Sequence, residues 1–497
     1  MTRYTLLFGG KAGQGPNILT NLLGSALVKY GYYVFYSRDY QSLIRGGHNF
    51  NVLTFCENPL FSNDYEVDLM VALDEVTEET HKKELKKNAV ILKGKKENMY
   101  YAGAIFKLLG IEFKALDDEL KILKKRYEEN IVQAKKGYQE EKRTIAQLER
   151  KKTKAYFTSG SESIAQGAIK SGLDVYYGYP MTPSTPVLGE LAGRAVDNRF
   201  LLVELENEIS VIGAAIGSAI TGAKTMVGTS GGGFDLMTEN ISLAGMADVP
   251  LVVYLAQRPG PATGVPTYTS QGDLNLTRHA GHGEFQRVVL APGDPKECQE
   301  LVSRAFYFSQ TFKIPAIVIS DKHLAESYYT LTEPIKITKS KKLTSLKKYN
   351  SYEHDDYGIS TEDARIVRSN FDRRLKKQEE IAKEAEKFEG YKLYGKRDSK
   401  NMIVSWGSTK GAILDCIKDL DLCFLQIIHI DPFPKAIERL LRDKNLILIE
   451  NNSTAQLGQL IAEKTGVFIG DKHKILRYDA RPFLHDELKL AIKGRMR

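Results

Sequence analysis

Val175-Tyr176-Tyr177-Gly178-Tyr179-Pro180-Met181-Thr182-Pro183-Ser184-Thr185-Pro186 is the stretch on which the fold reading turns. Apolar and aromatic residues predict a strand over 175–177, and Gly178 ends it. Three prolines then hold the backbone extended, and Thr182, which precedes a proline, is kept out of the α region. Pro186 suits the first turn of a helix, with Thr185 as its N-cap. A strand that runs through a rigid loop into a helix is one step of an α/β fold. The loop has two readings: a capped turn and nothing more, or a rigid support that presents the Thr182 hydroxyl to a site.

The same step recurs on either side. Strands are expected over 201–205, 225–228, 251–255, 288–290 and 316–319, with helices between them. One of these, over 209–223, carries Gly213, Ala214, Ala215, Gly217, Ser218 and Ala219, so it is expected to lie against a sheet or a partner. Upstream, strands over 4–8, 32–37, 50–55, 67–72 and 88–92 give a βαβ rhythm and a sheet covered by helices. The apolar residues from Leu116 to Tyr138 fall every three or four positions, the pattern of one amphipathic helix. The charged stretch 117–155 reads as that helix plus a solvated connector. A second charged stretch, 336–400, loses strand character and turns helical over 361–388. Strands return over 403–406, 424–430 and 446–450.

A chain of 497 residues predicts about three domains. With 42% hydrophobic and 27% charged residues, global disorder is excluded. No apolar run approaches the roughly 18–20 residues that span a bilayer, and the first residues enter a strand directly, so neither a signal peptide nor a membrane role is expected. Cys56, Cys298, Cys416 and Cys423 form no CxxC pair, which argues against a disulfide scaffold or a metal cluster held by this chain and for a reduced, cytoplasmic setting. The net charge of +8 favours acidic partners in general. No basic motif interleaved with aromatics accompanies it, so nucleic acid is not expected.

Five further motifs stand at strand ends or turns. Phe8-Gly-Gly-Lys-Ala-Gly-Gln-Gly15 is either a tight strand-to-helix turn or a phosphate approach to a helix N-terminus; it is neither a P-loop nor a complete GxGxxG. Arg45-Gly-Gly-His48 is a second turn, or a basic loop for an anion. Glu204-Leu-Glu-Asn-Glu208 opens the small-residue helix. Glu204 and Glu206 suit solvent or the helix dipole, whereas apolar residues after Glu208 put its carboxyl in a low-dielectric surrounding. Gly228-Thr-Ser-Gly-Gly-Gly-Phe234 is either a tight strand-to-helix turn or a glycine turn that lets a ligand approach the backbone. Finally Gln257-Arg-Pro-Gly-Pro-Ala-Thr-Gly-Val-Pro-Thr267, leading to Gln271-Gly-Asp273, sets Arg258 at a strand's carboxyl end, where doubly wound sheets bind ligands. Its guanidinium suits bidentate grip on a carboxylate, or a structural pairing with a local Asp.

In combination these motifs resemble the 2-oxoacid:ferredoxin oxidoreductases. Tyr179-Pro-Met-Thr-Pro-Ser is similar to the family's YPITPS signature, with Met181 in place of isoleucine. Glu206-Asn-Glu208, the Thr229-Ser-Gly turn and the Gln257–Thr267 stretch follow in the family's order. Gly231-Gly-Gly-Phe-Asp235 departs from the Gly-Pro-Gly-Phe-Ser of many relatives. The resemblance implies three α/β domains in a fused gamma–alpha chain: a gamma-like domain over 1–140, a thiamine-enzyme pyrimidine-binding domain over 156–335, a charged connector over 336–400, and a transketolase-C-terminal-like domain over 401–497.

It also implies CoA-dependent oxidative decarboxylation of 2-oxoglutarate or a related 2-oxoacid to acyl-CoA and CO2, with electrons passed to ferredoxin. Glu208 would bond the aminopyrimidine of thiamine diphosphate beside Tyr179 and Pro180, Arg258 would hold the substrate carboxylate, and Thr182 and Thr267 would donate hydroxyls around the oxo acid. The chain lacks GDG and clustered cysteines. The resemblance therefore assigns magnesium, the diphosphate anchor and the [4Fe–4S] centre to a beta subunit paired with this one. The competing readings are the same chemistry on pyruvate, branched-chain or aryl 2-oxoacids, a non-catalytic scaffold subunit, and a dinucleotide dehydrogenase built on the first glycine cluster.

Overall fold

The computed structural model describes residues 2–41, 47–124, 126–343 and 348–496. They form two compact units. The first comprises Met1–Thr158 with Ser327–Glu333 and Leu484–Leu488; the second comprises Ser159–Glu326, Pro334–Phe483 and Lys489–Arg497.

The first unit is built on a seven-stranded sheet. Its order is Leu85–Lys93, Val67–Ala72, Tyr4–Lys11, His48–Cys56, Tyr33–Asp39, Tyr328–Leu331 and Tyr156–Ser159. Tyr4–Lys11 runs parallel to Val67–Ala72 but antiparallel to His48–Cys56. The expected βαβ rhythm therefore holds only in part. Tyr33–Asp39 and His48–Cys56 pair antiparallel, because the segment 40–47 between them is too short for a crossover, which takes about a dozen residues. Arg45 and Gly46 of the second turn motif lie outside the described residues. In the first glycine cluster, Gly13 and Gly15 adopt φ of 89° and 81°, conformations that glycine enters without a Cβ penalty. Gly15 caps the helix Pro16–Lys29, and Pro16 occupies its first turn.

Two expectations for 116–155 are corrected. The single amphipathic helix is two, Phe113–Leu123 and Tyr127–Glu140, separated where Lys124 and Arg126 take φ of 56° and 50°. The apolar spacing survives, with Leu116, Leu120, Ile131 and Ala134 all buried, but spacing alone does not reveal a break between turns. The stretch that follows is not a solvated connector. Ile145 and Leu148 donate their backbone N–H groups to the carbonyls of Leu108 and Leu109 (2.8 and 3.0 Å), Lys151 donates to Tyr30 (2.8 Å), and Ala146 and Leu148 are buried.

The second unit holds two sheets. The larger runs His429–Asp431, Val288–Leu290, Pro315–Asp321, Leu251–Gln257, Thr225–Thr229, Val175–Gly178, Leu201–Glu204. All its pairings are parallel except that of His429–Asp431. Gly178, Glu204, Thr229 and Gln257 therefore end their strands on one side of the sheet. The smaller sheet runs Tyr391–Gly395, Cys423–Ile427, Asn401–Trp406, Asn445–Glu450, Lys474–Leu476. Its edge strand Tyr391–Gly395 lies within the charged stretch read as strandless. The expected strand over 424–430 is two, and they join different sheets. One hydrophobic core, from Val227 and Val253 to Val404 and Leu448, is shared by both sheets.

The helix Glu208–Ile220 buries Val211, Ile212, Ala215, Ile216 and Ala219. Its other face is open: Ile209 is 54% exposed, and a Cβ at Gly213 or Gly217 would meet nothing. Small residues thus lie on both faces: Ala215 and Ala219 on the buried one, Gly213 and Gly217 on the open one.

Candidate functional site

The site grows from the carboxyl ends of four parallel strands. After Val175–Gly178 the proline loop begins with Tyr179 and Pro180 exposed. The helix Thr185–Ala192 is capped by Ser184 rather than by Thr185 as expected; the Ser184 hydroxyl donates instead to the carbonyl of Met181 (2.7 Å), which tightens the loop. That leaves the backbone of Thr182 turned toward the neighbouring strand end. Arg258, just beyond Leu251–Gln257, donates from Nη1 to the Thr182 carbonyl at 2.8 Å. The contact engages the carbonyl of Thr182, not the hydroxyl singled out from the sequence.

Glu208 opens its helix, and Asn207 before it caps that helix by accepting from the Ser210 N–H (2.9 Å). The cap turns the Glu208 side chain inward, where it is 4% exposed and its Oε1 has no hydrogen-bond partner among the described residues. Glu206 stays outside and accepts from the Ser210 hydroxyl. The glycine turn supplies the space. A Cβ on Gly233 would stand 2.6 Å from Glu208 Oε1 and in collision with Thr229 Oγ1. Ser230, which precedes the helix Gly231–Met246, also keeps a buried hydroxyl without a partner among the described residues.

Arg258 and Glu208 feel each other electrostatically. Burial lowers Arg258 from its ordinary value, and the carboxyls of Glu208 and Asp273 oppose that shift. Asp273 is the residue that sequence reasoning left without a role. Burial pushes its carboxyl up to about 6, Asp235 adds to the rise and Arg258 restrains it. Its Oδ2 is enclosed, has no partner among the described residues, and occupies the place a Cβ on Gly231 would take. The available signal was the Gln271-Gly-Asp273 tail of the arginine motif.

The loop that carries these residues is bolted down. Gln257 donates from Nε2 to the Ser320 carbonyl (3.0 Å) and accepts from the Asp273 N–H (2.9 Å). Gln271 donates to the Trp406 carbonyl (2.9 Å), accepts from the Asn451 N–H (2.9 Å), and its carbonyl accepts from Asn452 (3.1 Å). Thr269 donates to Asp321 (3.2 Å). Thr267 is buried in the same loop. The outcome is an enclosed carboxyl, a guanidinium and a second carboxyl around a three-glycine turn. Such a constellation offers an enclosed hydrogen-bonding carboxyl at Glu208 and a cationic grip for an anion at Arg258.

A separate cleft of about 990 Å³ lies within the first unit at the ends of Tyr4–Lys11 and Leu85–Lys93. Its lining mixes Lys11, Lys82, Lys93 and Lys95 with Asp74, Glu75, Glu78 and Glu79, and Lys93 is paired with Glu78. The larger volume is less informative than the second unit's buried groups, because surface charges of both signs are readily solvated whereas an enclosed carboxyl oxygen without a partner is costly. No helix among the described residues is long and apolar enough to cross a membrane.

Comparison with known proteins bears on both units. Residues 166–392 match the family described as pyruvate flavodoxin/ferredoxin oxidoreductase, thiamine diP-bdg, and residues 5–97 match pyruvate ferredoxin/flavodoxin oxidoreductase. The 2-oxoacid:ferredoxin oxidoreductase subunit alpha of Saccharolobus solfataricus is 28% identical over 99% of this chain and 98% of its own length. The 2-oxoglutarate synthase subunit KorA of Methanocaldococcus jannaschii is 32% identical over 69% of this chain and 100% of its own. Among solved structures, the 2-oxoglutarate:ferredoxin oxidoreductase from Magnetococcus marinus superposes with a TM-score of 0.88 at 22% identity, covering 100% of both chains. It shares the fold.

Proposed function

Because the chain belongs to the 2-oxoacid:ferredoxin oxidoreductase family, as an alpha-subunit chain, we propose that the cluster around Glu208 and Arg258 is this chain's share of the active site. Glu208 would hold the aminopyrimidine ring of thiamine diphosphate. The observation that carries this is the enclosed Glu208 Oε1, which has no hydrogen-bond partner among the described residues and lies so close to Gly233 that a Cβ there would collide with it. When bound, the cofactor supplies the electron sink for loss of CO2 from a 2-oxoacid; the protein supplies placement and polarity.

The chain's own contributions follow from its groups. Glu208 would share a proton with the aminopyrimidine ring through Oε1, shielded from bulk water. Arg258 grips the substrate carboxylate, and its bond to the Thr182 carbonyl fixes where the guanidinium stands. Thr182 and Thr267 are proposed as hydroxyl donors around the oxo group, with Tyr179 and Pro180 at the cofactor's edge. The regions 1–140, 156–335 and 401–497 are proposed as the gamma-like, pyrimidine-binding and transketolase-C-terminal-like parts, joined through 336–400. A beta subunit is proposed as the partner that brings magnesium, the diphosphate anchor and a [4Fe–4S] centre, in keeping with a sequence that has neither GDG nor clustered cysteines. Ferredoxin and coenzyme A complete the reaction, and the setting is proposed to be the cytoplasm.

We favour 2-oxoglutarate as substrate, on the strength of relatives named as 2-oxoglutarate synthase subunits. Pyruvate is the second reading, since both matched family descriptions name it. The test is co-production with a beta-type chain and assay of viologen reduction that depends on oxo acid and on coenzyme A. Turnover with 2-oxoglutarate well above pyruvate is expected; the reverse order selects the second reading. Glu208→Gln should leave the complex assembled and lower turnover by roughly 10²–10⁴-fold, the usual worth of one proton-transfer group. Wild-type turnover in that variant removes Glu208 from the site.

A further inference from the structure

The loop that follows Arg258 is gripped from a second direction. Segment 477–481 leaves Lys474–Leu476, the edge strand of the smaller sheet, and meets that loop. Asn451, just beyond Asn445–Glu450, donates from Nδ2 to the carbonyls of Arg477 and Arg481 at 2.9 and 3.0 Å. Its carbonyl accepts from the Gln271 N–H (2.8 Å), and its own N–H goes to Gln271 Oε1 (2.9 Å). Thr269 donates its N–H to the Ala480 carbonyl at 3.4 Å. The fastening sets the Arg481 guanidinium over the ring of Tyr268, 3.7 Å from its centroid. Tyr268 directly follows Thr267.

Arg481 has no acid of its own. Asp479, its neighbour in sequence, accepts from the Arg481 backbone N–H (3.0 Å) and from Arg477 Nε (3.1 Å). Among the described residues no ion pair or hydrogen bond engages the Arg481 guanidinium; its contact is the Tyr268 ring. A guanidinium that rests on an aromatic ring keeps the edge of its planar fork for an anion. Arg258 follows a strand of the larger sheet and Arg481 a strand of the smaller one, and one loop meets both. Crevices outside strand carboxyl ends are where open α/β sheets bind ligands.

We propose that Arg481 is a specificity-determining residue of the oxo-acid site: it grips the distal carboxylate of a dicarboxylic 2-oxoacid, while Arg258 holds the carboxylate beside the oxo group. The inference rests on the reading of Arg258 as the clamp and deepens the choice of 2-oxoglutarate over pyruvate. The logic is one of charge. Both acids offer Arg258 the same carboxylate, so Arg258 cannot tell them apart. Only 2-oxoglutarate carries a second anion. A cation without an acid of its own gains charge-assisted bonds from that anion and stays with water when pyruvate is bound. The Tyr268 platform restricts the arginine side chain beforehand, so less freedom is lost on binding.

The test is steady-state kinetics of the alpha–beta complex with 2-oxoglutarate and pyruvate as alternative substrates. In Arg481→Gln the ratio of kcat/KM for 2-oxoglutarate to that for pyruvate should fall roughly 10- to 150-fold, the worth of one charge-assisted contact. The loss should sit in KM for 2-oxoglutarate, and Arg481→Lys should recover part of it. An unchanged ratio, or an equal loss on both acids, overturns the proposal. Coenzyme A brings phosphates that a guanidinium also suits, so its KM is measured too; a rise confined to coenzyme A overturns the proposal in favour of the co-substrate.

If the variants do not fold, inhibition of the wild type decides. Glutarate should compete with 2-oxoglutarate roughly tenfold or more better than butyrate, which lacks the second carboxylate; equal inhibition overturns the distal grip. Arg258→Ala separates the two levels. An unchanged KM for both acids there removes the clamp and the proposal together. A raised KM for both, alongside an unchanged ratio in Arg481→Gln, overturns the role of Arg481 alone. A wild type that turns over pyruvate better than 2-oxoglutarate overturns the substrate reading and the proposal with it.

Discussion

Gly233 stands so close to Glu208 that a methyl group on the glycine would lie 2.6 Å from Oε1 of the carboxyl, and against the Thr229 hydroxyl on its other side. Neither neighbour has room to withdraw, since both Glu208 and Thr229 are buried. Gly233→Ala is therefore expected to cost about 1–3 kcal/mol of stability through overpacking. It should lower turnover more than stability, because the side chain that must yield is the one proposed to hold the cofactor's aminopyrimidine ring. Thermal unfolding and oxo-acid-dependent viologen reduction on the same preparation separate the two effects. A fully active, unshifted variant would mean that the turn is looser than its geometry implies.

Arg258 is expected to matter through binding. Arg258→Ala removes a charged donor and should raise KM for the oxo acid by an amount worth about 1.5–3 kcal/mol, with a smaller change in kcat. Arg258→Lys should recover only part of this, since an ammonium lacks the planar fork. Steady-state kinetics across a concentration series reads the difference directly.

Glu297 is the centre of a buried ionic cluster in the second unit. Lys410 donates to it at 2.6 Å, Lys392 at 3.0 Å and Gln426 at 2.7 Å. Burial alone would raise the carboxyl, but Lys410 and Lys392 bring it down to about 2. Removing one partner strands the other charges, so Glu297→Ala should destabilise the unit by about 3–5 kcal/mol. The sign with pH follows. A depressed carboxyl contributes its stabilisation in full above its ordinary value of 4.5 and loses it as pH falls toward 2. Denaturant midpoints measured from pH 7 to pH 3 should decline in the wild type and decline less in Glu297→Gln.

In the first unit, His48 and His81 meet Nε2 to Nε2 at 2.9 Å, and His81 Nδ1 is bonded to Glu84 at 3.0 Å. One proton serves the shared bond, and two repel. Burial, reinforced by His81, lowers His48 below its ordinary 6.5. The unfolded chain therefore binds the proton more readily than the folded one. Stability from this pair is complete above about pH 6.5 and falls as the solution is acidified. The unfolding midpoint of the wild type should drop from pH 7.5 to pH 5.5 more than that of His48→Phe, and equal drops would remove the pair as the cause.

Much of the second unit's sheet was legible in the sequence because buried parallel strands read as short apolar runs between glycine and proline punctuation. Val288–Leu290 appears at its expected bounds. The boundary between Phe113–Leu123 and Tyr127–Glu140 was hidden, since a continuous apolar period does not report a local break in the backbone. Tyr391–Gly395 was hidden for a different reason: as an antiparallel edge strand it keeps polar and charged residues, which masks it within a basic segment. At the site, Glu208 and Arg258 could be singled out because their residue types clash with what surrounds them. Asp273 could not, because its significance lies in a contact with Gly231, 42 positions away, that only the folded loop creates.

The strand Tyr328–Leu331 sits between Tyr33–Asp39 and Tyr156–Ser159 in the first sheet, although it is encoded far downstream of both. A gene trimmed after codon 158 would yield a product missing an interior rung of its ladder. Tyr33–Asp39 would then offer bare amides to any passing chain, an invitation to aggregate. Whoever wishes to produce that portion separately would do better to splice the missing rung back through a short designed hairpin than to cut where the linear order suggests.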